Sequence, residues 1–161
     1  MAIDRNFFTD LQSAKKTERK VAEYFSCLNE FNIVQYDNVD NRYDIIVQDA
    51  CNVNHEIEIK EDFMAQKTGN IMVEFECRGK PSGIAVTQAS HYGYVIHEPN
   101  GQKNLYIISV DELKELIANQ EYKREVIGGD PGSNTKGYLF SLDLVKDKFF
   151  HELNFNYHLV S

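Results

Sequence analysis

The chain has 161 residues, of which 42% are hydrophobic and 26% are charged, which suits one well-formed core and is too short for two typical domains. We therefore expect a single domain over residues 1–161. No apolar run approaches the roughly 20 residues that span a bilayer, and the N-terminus lacks the apolar stretch of a signal peptide. The expected location is the cytoplasm, with no membrane partner.

The net charge of −8 argues against a protein that binds nucleic acid by bulk electrostatics, so a polyanion would need a local basic patch. The acidity also fits carboxylates gathered around a divalent cation, whose charge partly neutralises them. Cys27, Cys51 and Cys77 form no C-x-x-C pair, so we expect free thiols. Cys51 and His55 are four residues apart, but without a second close pair the sequence does not predict a zinc site.

The first predicted element is an amphipathic helix over residues 9–31, where apolar residues recur mostly at three- and four-residue intervals. Thr9 is its predicted N-cap. Short strands follow, separated by turns rich in Asn and Asp. The strands are predicted at 32–36, 42–48 and 55–60, with turns at 37–41 and 49–54.

The second half of the chain predicts further strands with two helices and a short helix at the end. Asp111 is the predicted N-cap of the second of these helices. In order we expect a loop at 61–70, a strand at 71–77, a loop at 78–83, a short helical turn or helix at 84–91, strands at 92–98 and 104–110, a helix at 112–120, and then a strand, a Gly-rich loop, a strand and a short helix. This order predicts an α/β fold, a sandwich around a mixed sheet.

The stretch HEIEIKED, residues 55–62, places ionisable side chains on one face of a predicted strand. Side chains of a strand alternate, so Ile57 and Ile59 point one way. The other face carries Glu56, Glu58 and Lys60. A solvated edge strand would look the same, because Lys and Glu discourage edge-to-edge pairing.

Asp44 stands where the second predicted strand enters the core, a position that suits a carboxylate only if its charge is compensated. The string YDIIV, followed fourteen positions after Asp44 by Glu58 in EIK, resembles the D...(D/E)-x-K signature of the PD-(D/E)xK nuclease superfamily. In that superfamily the motif lies on the second and third strands after an N-terminal helix, which is the order predicted here. Tyr43 stands where the signature has Pro.

The resemblance extends beyond this signature. Glu18 resembles the first-helix glutamate of the Holliday-junction-resolvase and related phage nuclease branches, and residues 68–96 look like the continuation seen in phage-type members. It implies a three-layer-type sandwich with a restriction-endonuclease-like core around a central mixed sheet. It also implies a nuclease that hydrolyses DNA phosphodiester bonds, with magnesium or manganese as cofactor.

Hard oxygen ligands select magnesium or manganese, so Asp44, Glu58 and the backbone carbonyl of Ile59 are the candidate metal ligands, with Glu18 as a further one. Lys60 would orient or help to deprotonate the attacking water and place a positive charge near the phosphate. The candidate catalytic residues are Asp44, Glu58 and Lys60. We expect Glu56 to face solvent.

The loop at 78–83 is the candidate DNA contact, because cations next to a predicted helix N-terminus would hold a phosphate. Its candidate residues are Arg78, Lys80 and Ser82, followed by Thr87 and Gln88. A plain polar turn is the alternative. The Gly-rich loop at 128–137 lacks the ending of a P-loop, so we assign it no nucleotide.

Two other functions remain open. The chain would be a catalytically inert binding or assembly module if the carboxylates only served structure. It would be an interaction protein with an unrelated mixed sheet if Glu58 and Lys60 lay far from Asp44. The sequence also leaves open whether the substrate is DNA or RNA and whether the chain selects ends or branched structures. It leaves open as well whether the chain forms a homodimer, and whether it is phage-encoded and acts in the host cytoplasm.

Overall fold

A computed structural model describes residues 5–36, 42–129, 131–149 and 157–159. Among these residues the chain forms four helices, one 3-10 turn and ten strands. The helices are α1 (Arg5–Ser26), α2 (Ala65–Thr68), α3 (Val110–Ala118) and α4 (Leu142–Phe149), and the 3-10 turn is Gly83–Ala85. The strands are β1 (Phe31–Tyr36), β2 (Ile45–Asp49), β3 (Asn54–Asp62), β4 (Asn70–Cys77), β5 (Lys80–Pro81), β6 (His91–His97), β7 (Lys103–Ser109), β8 (Arg124–Gly128), β9 (Thr135–Ser141) and β10 (Tyr157–Leu159).

The strands form two sheets. A six-stranded sheet has the order β1-β2-β3-β6-β7-β10. It is mixed, because β3 and β6 run parallel while every other neighbouring pair of strands in this sheet is antiparallel. A four-stranded sheet has the order β5-β4-β9-β8 and is antiparallel throughout. The α/β class and the mixed sheet are therefore confirmed. The second sheet was not expected, because strand periodicity does not reveal which strands pair.

The six-stranded sheet lies between two hydrophobic clusters. On one face Val21 and Phe25 of α1 pack with Ile45, Ile57 and Val95. On the other face, the alternate side chains of β6 and β7, which point away from α1, pack with residues of β4, β9, α3 and α4. The second sheet therefore covers the face of the six-stranded sheet that α1 does not.

Helix α1 forms where the periodicity predicted a helix, but its ends differ. The structure has helix already at Arg5, so Thr9 lies within α1 and is not an N-cap. The helix ends at Ser26, and the amide of Cys27 bonds the Tyr24 carbonyl at 3.0 Å in a closing turn. Phe31 belongs to β1, where it is buried against Phe25.

Of two predicted elements in the middle of the chain, one is wrong and the other is shorter than its predicted range. The loop predicted at 61–70 contains α2, whose first turn is held by the Asp62 carboxylate, which accepts the Ala65 amide at 2.7 Å. Of the short helical turn or helix predicted at 84–91, the structure has the turn, which is 3-10, and the chain then continues to β6. Short segments like these are set by contacts with neighbouring strands more than by propensity.

The N-cap of α3 is also displaced from its predicted position. The Ser109 hydroxyl accepts the Glu112 amide at 3.0 Å, so Ser109 is the cap. Asp111 lies in the first turn, where a negative charge favours the helix dipole. The predicted turn at 37–41 lies outside the described residues. Among the residues that are described, no helix has the length and apolar character needed to cross a membrane.

Candidate functional site

The first residue of the site is Asp44, one position before β2. Its backbone amide donates to the Ile57 carbonyl at 3.0 Å, and its Oδ2 accepts the Ile59 amide at 2.7 Å. The register that pairs Ile45 with Ile57 continues to place Asp44 beside Glu58. The side chain is therefore fixed against β3 by the backbone of the strand that carries the other candidate residues.

Burial is the main influence on the Asp44 carboxyl and raises its pKa. The hydrogen bond from Ile59 and the charge of Lys60 oppose this, while the negative charge of Glu58 raises the pKa further. The net pKa of Asp44 lies above its ordinary value. Asp44 and Glu58 are thus close enough to repel one another, as two carboxylates of one cation site would in the free protein.

Glu58 and Lys60 form an ion pair along β3. The Lys60 Nζ donates to Glu58 Oε1 at 2.5 Å. The side chain of Lys60 is 40% exposed and that of Glu58 is 24% exposed. Burial lowers the pKa of Lys60, but the charge and hydrogen bond of Glu58 outweigh it, so the pKa lies above its ordinary value. Lys60 therefore holds its proton at neutral pH and acts as a fixed positive charge.

The ion pair faces a groove between the two sheets. One part of this groove, about 480 Å³, runs from Lys60 past β4 to the Gly-rich loop before β9. A second part, about 220 Å³, holds Glu58 and Arg42. Both parts share Lys60, Glu74, Gly83 and Tyr92. The charged face of β3 is therefore covered by a second layer of protein and is not the face of an exposed edge strand.

Glu74 and Tyr92 are groove residues that the sequence did not single out. Glu74 lies on β4, and its Oε1 accepts the Ser82 hydroxyl at 2.5 Å. Tyr92 pairs with Glu58 in the parallel register, and its ring centroid lies 5.8 Å from Lys60 Nζ. Only the alternation of polar residues in IMVEFEC hinted at Glu74, and no sequence signal marked Tyr92.

The candidate DNA contacts do not all lie at the groove. Arg78 lines the larger part of the groove together with Lys60. Lys80 is exposed on the short edge strand β5, where it pairs with Cys77. Ser82 is bonded to Glu74 and is only half-buried. Thr87 and Gln88 line the smaller part of the groove together with Glu58 and Lys60. Of the five candidates, Arg78, Thr87 and Gln88 therefore line the groove that the charged face of β3 borders.

Glu18 is not brought to this group. It lines a separate depression on α1 with Lys15, Arg19 and Tyr36, on a helix that packs against the opposite face of the six-stranded sheet. Within the described part of the chain, no three His, Cys, Asp or Glu side chains are gathered as a metal cluster. A ligand role of Glu18 stays a prediction. Asp44 and Glu58 are the candidate carboxylates that lie together, and Glu58 lines the groove.

The donor chemistry at Asp44 and Glu58 fits a hard divalent cation. Both are carboxylates, each has one oxygen engaged in a hydrogen bond, and their mutual repulsion is one that a cation would relieve. Comparisons with protein-family models, curated proteins and solved structures return no match for this chain. The likeness to the nuclease superfamily therefore stands on the residues alone.

Proposed function

We propose that this chain is a magnesium- or manganese-dependent nuclease that hydrolyses phosphodiester bonds of DNA. The observation that supports this best is the convergence of Asp44, Glu58 and Lys60 on one side of β3, facing a groove. A solvated edge strand would not need Asp44 to be tied to the Ile59 amide.

Each residue would have a separate task. Asp44 and Glu58 would hold the cation, which when bound supplies a Lewis acid for the scissile phosphate. Lys60 keeps its proton, because Glu58 raises its pKa, so it would attract the phosphate and orient water rather than remove a proton from it. Arg78 would hold a neighbouring phosphate in the same groove.

The order of elements also supports the proposal. A helix precedes a three-stranded meander, and the third strand then pairs in parallel with a later strand. This is compatible with a restriction-endonuclease-like core, with β4, β5, β8 and β9 added as a second sheet. The proposed setting is the cytoplasm, and the finer phage-type assignment is part of the same proposal.

An inert binding or assembly module is the second candidate. The Glu58–Lys60 ion pair favours it, because the 2.5 Å contact satisfies one oxygen of Glu58 without any cation. The two candidates differ in whether a divalent cation displaces Lys60 from Glu58. They therefore make different predictions for metal binding as well as for cleavage.

The test is incubation of purified protein with linear, nicked, single-stranded and branched DNA, with magnesium, with manganese and with a chelator. A nuclease should cut at least one of these DNAs in a metal-dependent way. Lys60→Met should not cut, whereas the exposed Lys114→Met on α3 should cut as the wild type does, which excludes a contaminating enzyme. Absence of cutting by the wild type on all four DNAs with both metals would overturn the proposal.

A further inference from the structure

The hydroxyl of Tyr92 is a buried polar group beside the groove. Tyr92 is 2% exposed, and its hydroxyl is the buried side-chain polar atom in the described residues that lacks a hydrogen-bond partner. Burial raises the pKa of this phenol, and the nearby Thr87 side chain offsets only part of that rise, while the two side chains do not reach hydrogen-bonding geometry. A buried donor without a partner is unfavourable, so a protein that keeps one has a reason to do so.

The position of Tyr92 indicates what the hydroxyl would bind. The residue stands opposite Glu58 on the neighbouring strand and lines both parts of the groove. Lys60 Nζ lies 5.8 Å from its ring centroid, and Arg78 lines the same groove. The charges that act on this phenol are those of Lys60, Glu58 and Glu74. A hydroxyl donor beside the Lys60 ammonium suits an oxyanion once a cation held by Glu58 offsets the carboxylates, and a protonated hydroxyl cannot serve a bare cation in the same way.

The cover over the hydroxyl is thin. The segment that follows the 3-10 turn lines the smaller part of the groove together with Tyr92, and in it Val86 is 55% exposed and Gln88 is also exposed. Only Ile84 and Ala89 of this region are buried. Access of a phosphate to this hydroxyl requires an outward shift of Val86 and Thr87, which lie in neither sheet.

We propose that the Tyr92 hydroxyl donates a hydrogen bond to a non-bridging phosphate oxygen of the DNA strand bound in the groove, next to the Lys60 ammonium. This rests on the proposed nuclease function and adds a phosphate-binding residue to it. Tyr92 makes no covalent bond and transfers no proton. Its role is to position the phosphate between the two sheets.

The test compares Tyr92→Phe with Tyr106→Phe, a matched loss of one buried tyrosine hydroxyl on the adjacent strand β7 and outside the groove. The probe is a 5′-phosphorylated thymidine dinucleotide, titrated calorimetrically in the presence of calcium to avoid turnover. Tyr92→Phe should weaken binding about tenfold, the size of one hydrogen bond to a charged oxygen. Its melting temperature without probe should equal or exceed that of the wild type, because no internal hydrogen bond is lost.

A second measurement uses the wild type alone. The 13C signal of the Tyr92 ring carbon that bears the hydroxyl should shift on addition of the probe, while that of Tyr106 should not. Unchanged probe affinity in Tyr92→Phe, or a probe that leaves the Tyr92 signal in place, would overturn the inference. A Tyr92→Phe protein with a lower melting temperature and unchanged affinity would also overturn it, since the hydroxyl would then serve the fold.

The outcomes separate this inference from the nuclease proposal. If the wild type binds the probe through Tyr92 but cuts no DNA with either metal, the nuclease proposal fails and the phosphate contact stands. If the wild type cuts DNA and Tyr92→Phe cuts and binds equally well, the contact fails and the nuclease stands. If the wild type neither binds the probe nor cuts DNA, both fail.

Discussion

The Asp44 carboxylate is fastened to the next strand by the backbone amide of Ile59, with 2.7 Å between the oxygen and the nitrogen. A carboxylate placed before a buried strand normally faces water, yet this one is largely withdrawn from it and lies near the like charge of Glu58. The fold therefore holds Asp44 where its charge is unfavourable in the free protein. Sites that bind ions or substrates commonly carry such a local cost.

This arrangement predicts that Asp44→Asn stabilises the free protein at neutral pH. The amide oxygen of Asn can still accept the Ile59 amide, while the buried charge is removed. Burial raises the pKa of Asp44, so the folded state binds this proton more tightly than the unfolded state does. The Asp44 contribution to stability is therefore present at low pH and is lost as the pH rises from the ordinary pKa of 3.8 through the higher folded pKa.

Thermal denaturation between pH 4 and pH 7 measures the effect, with pH values chosen around the ordinary pKa of about 4 for Asp. Asp44→Asn should melt a few degrees above the wild type at pH 7, and the difference should shrink toward the acid end. Glu56→Gln on the same strand is the matched control for the loss of one carboxylate charge from β3. A less stable Asp44→Asn at pH 7 would mean that the charge of Asp44 is compensated within the free protein.

Local patterns in the sequence were enough to place the central hairpin. Strict alternation in HEIEIK put Ile57 on the core face and Glu58 and Lys60 on the other, and the short turn before it set the partner strand. A hairpin register then carries Asp44 to Glu58 without any long-range information. This is why three residues separated by up to sixteen positions were predicted together.

The side of the groove that the second sheet forms, through β4, could not be predicted in the same way. The segment IMVEFEC has the alternation of a strand in either sheet, and its pairing with β9 joins residues sixty or more positions apart. Glu74 and Tyr92 reach the groove only because of that pairing and of the parallel β3–β6 contact. Long-range pairing depends on the whole core, which short-range periodicity does not contain.

Gly83 provides a test of how closely the 3-10 turn packs on β4. Its φ is +50°, and a Cβ at this position would lie 2.2 Å from the backbone oxygen of Glu74 on β4. Gly83→Ala should therefore lower the free energy of unfolding by about 2–4 kcal/mol. One cause is backbone strain at positive φ, and the other is a clash with the Glu74 carbonyl, which cannot move aside as a flexible side chain would. Gly79→Ala is the control, because φ is +74° there but nothing lies within 4 Å, so only strain of about 1 kcal/mol applies. Equal losses in urea denaturation would show that the 3-10 turn is not packed closely on β4.

Thr17 tests whether α1 and the groove are independent. Its hydroxyl donates to Glu61 Oε2 at 2.8 Å, and the other oxygen of Glu61 lies 2.6 Å from His97 Nε2, which ties α1 to β3 and β6. Thr17→Val should cost about 1–3 kcal/mol in urea denaturation, because it removes a buried hydrogen bond to a carboxylate. It should leave metal binding and any DNA cleavage unchanged, whereas exposed Ser13→Ala should change neither stability nor activity. Lost cleavage in a folded Thr17→Val protein would place α1 in the site after all.

Glu58→Gln tests the cation site without requiring a known substrate. Magnesium or manganese that binds only the folded state should raise the melting temperature of the wild type, since it relieves the repulsion between Asp44 and Glu58. Glu58→Gln keeps the shape of the side chain but loses one charged ligand and should abolish that rise. Glu56→Gln, two positions earlier on the same strand face, should keep it. A wild type whose melting temperature ignores millimolar magnesium and manganese would contradict a cation site here.

Lys60→Met separates binding of the cation from use of it. Met keeps an aliphatic stem in the groove, so the variant should fold, while Glu58 loses the ammonium bonded to it at 2.5 Å.

With that competing cation removed, manganese should bind Lys60→Met at least as tightly as it binds the wild type, as judged by the rise in melting temperature. DNA cleavage should nevertheless fall by about a hundredfold or more, since the positive charge that attracts the phosphate and orients water is absent. The Lys114→Met control should match the wild type in both measurements. If Lys60→Met cuts at the wild-type rate, Lys60 has no part in the reaction, and if it loses manganese binding together with cleavage, its charge serves the architecture of the groove instead.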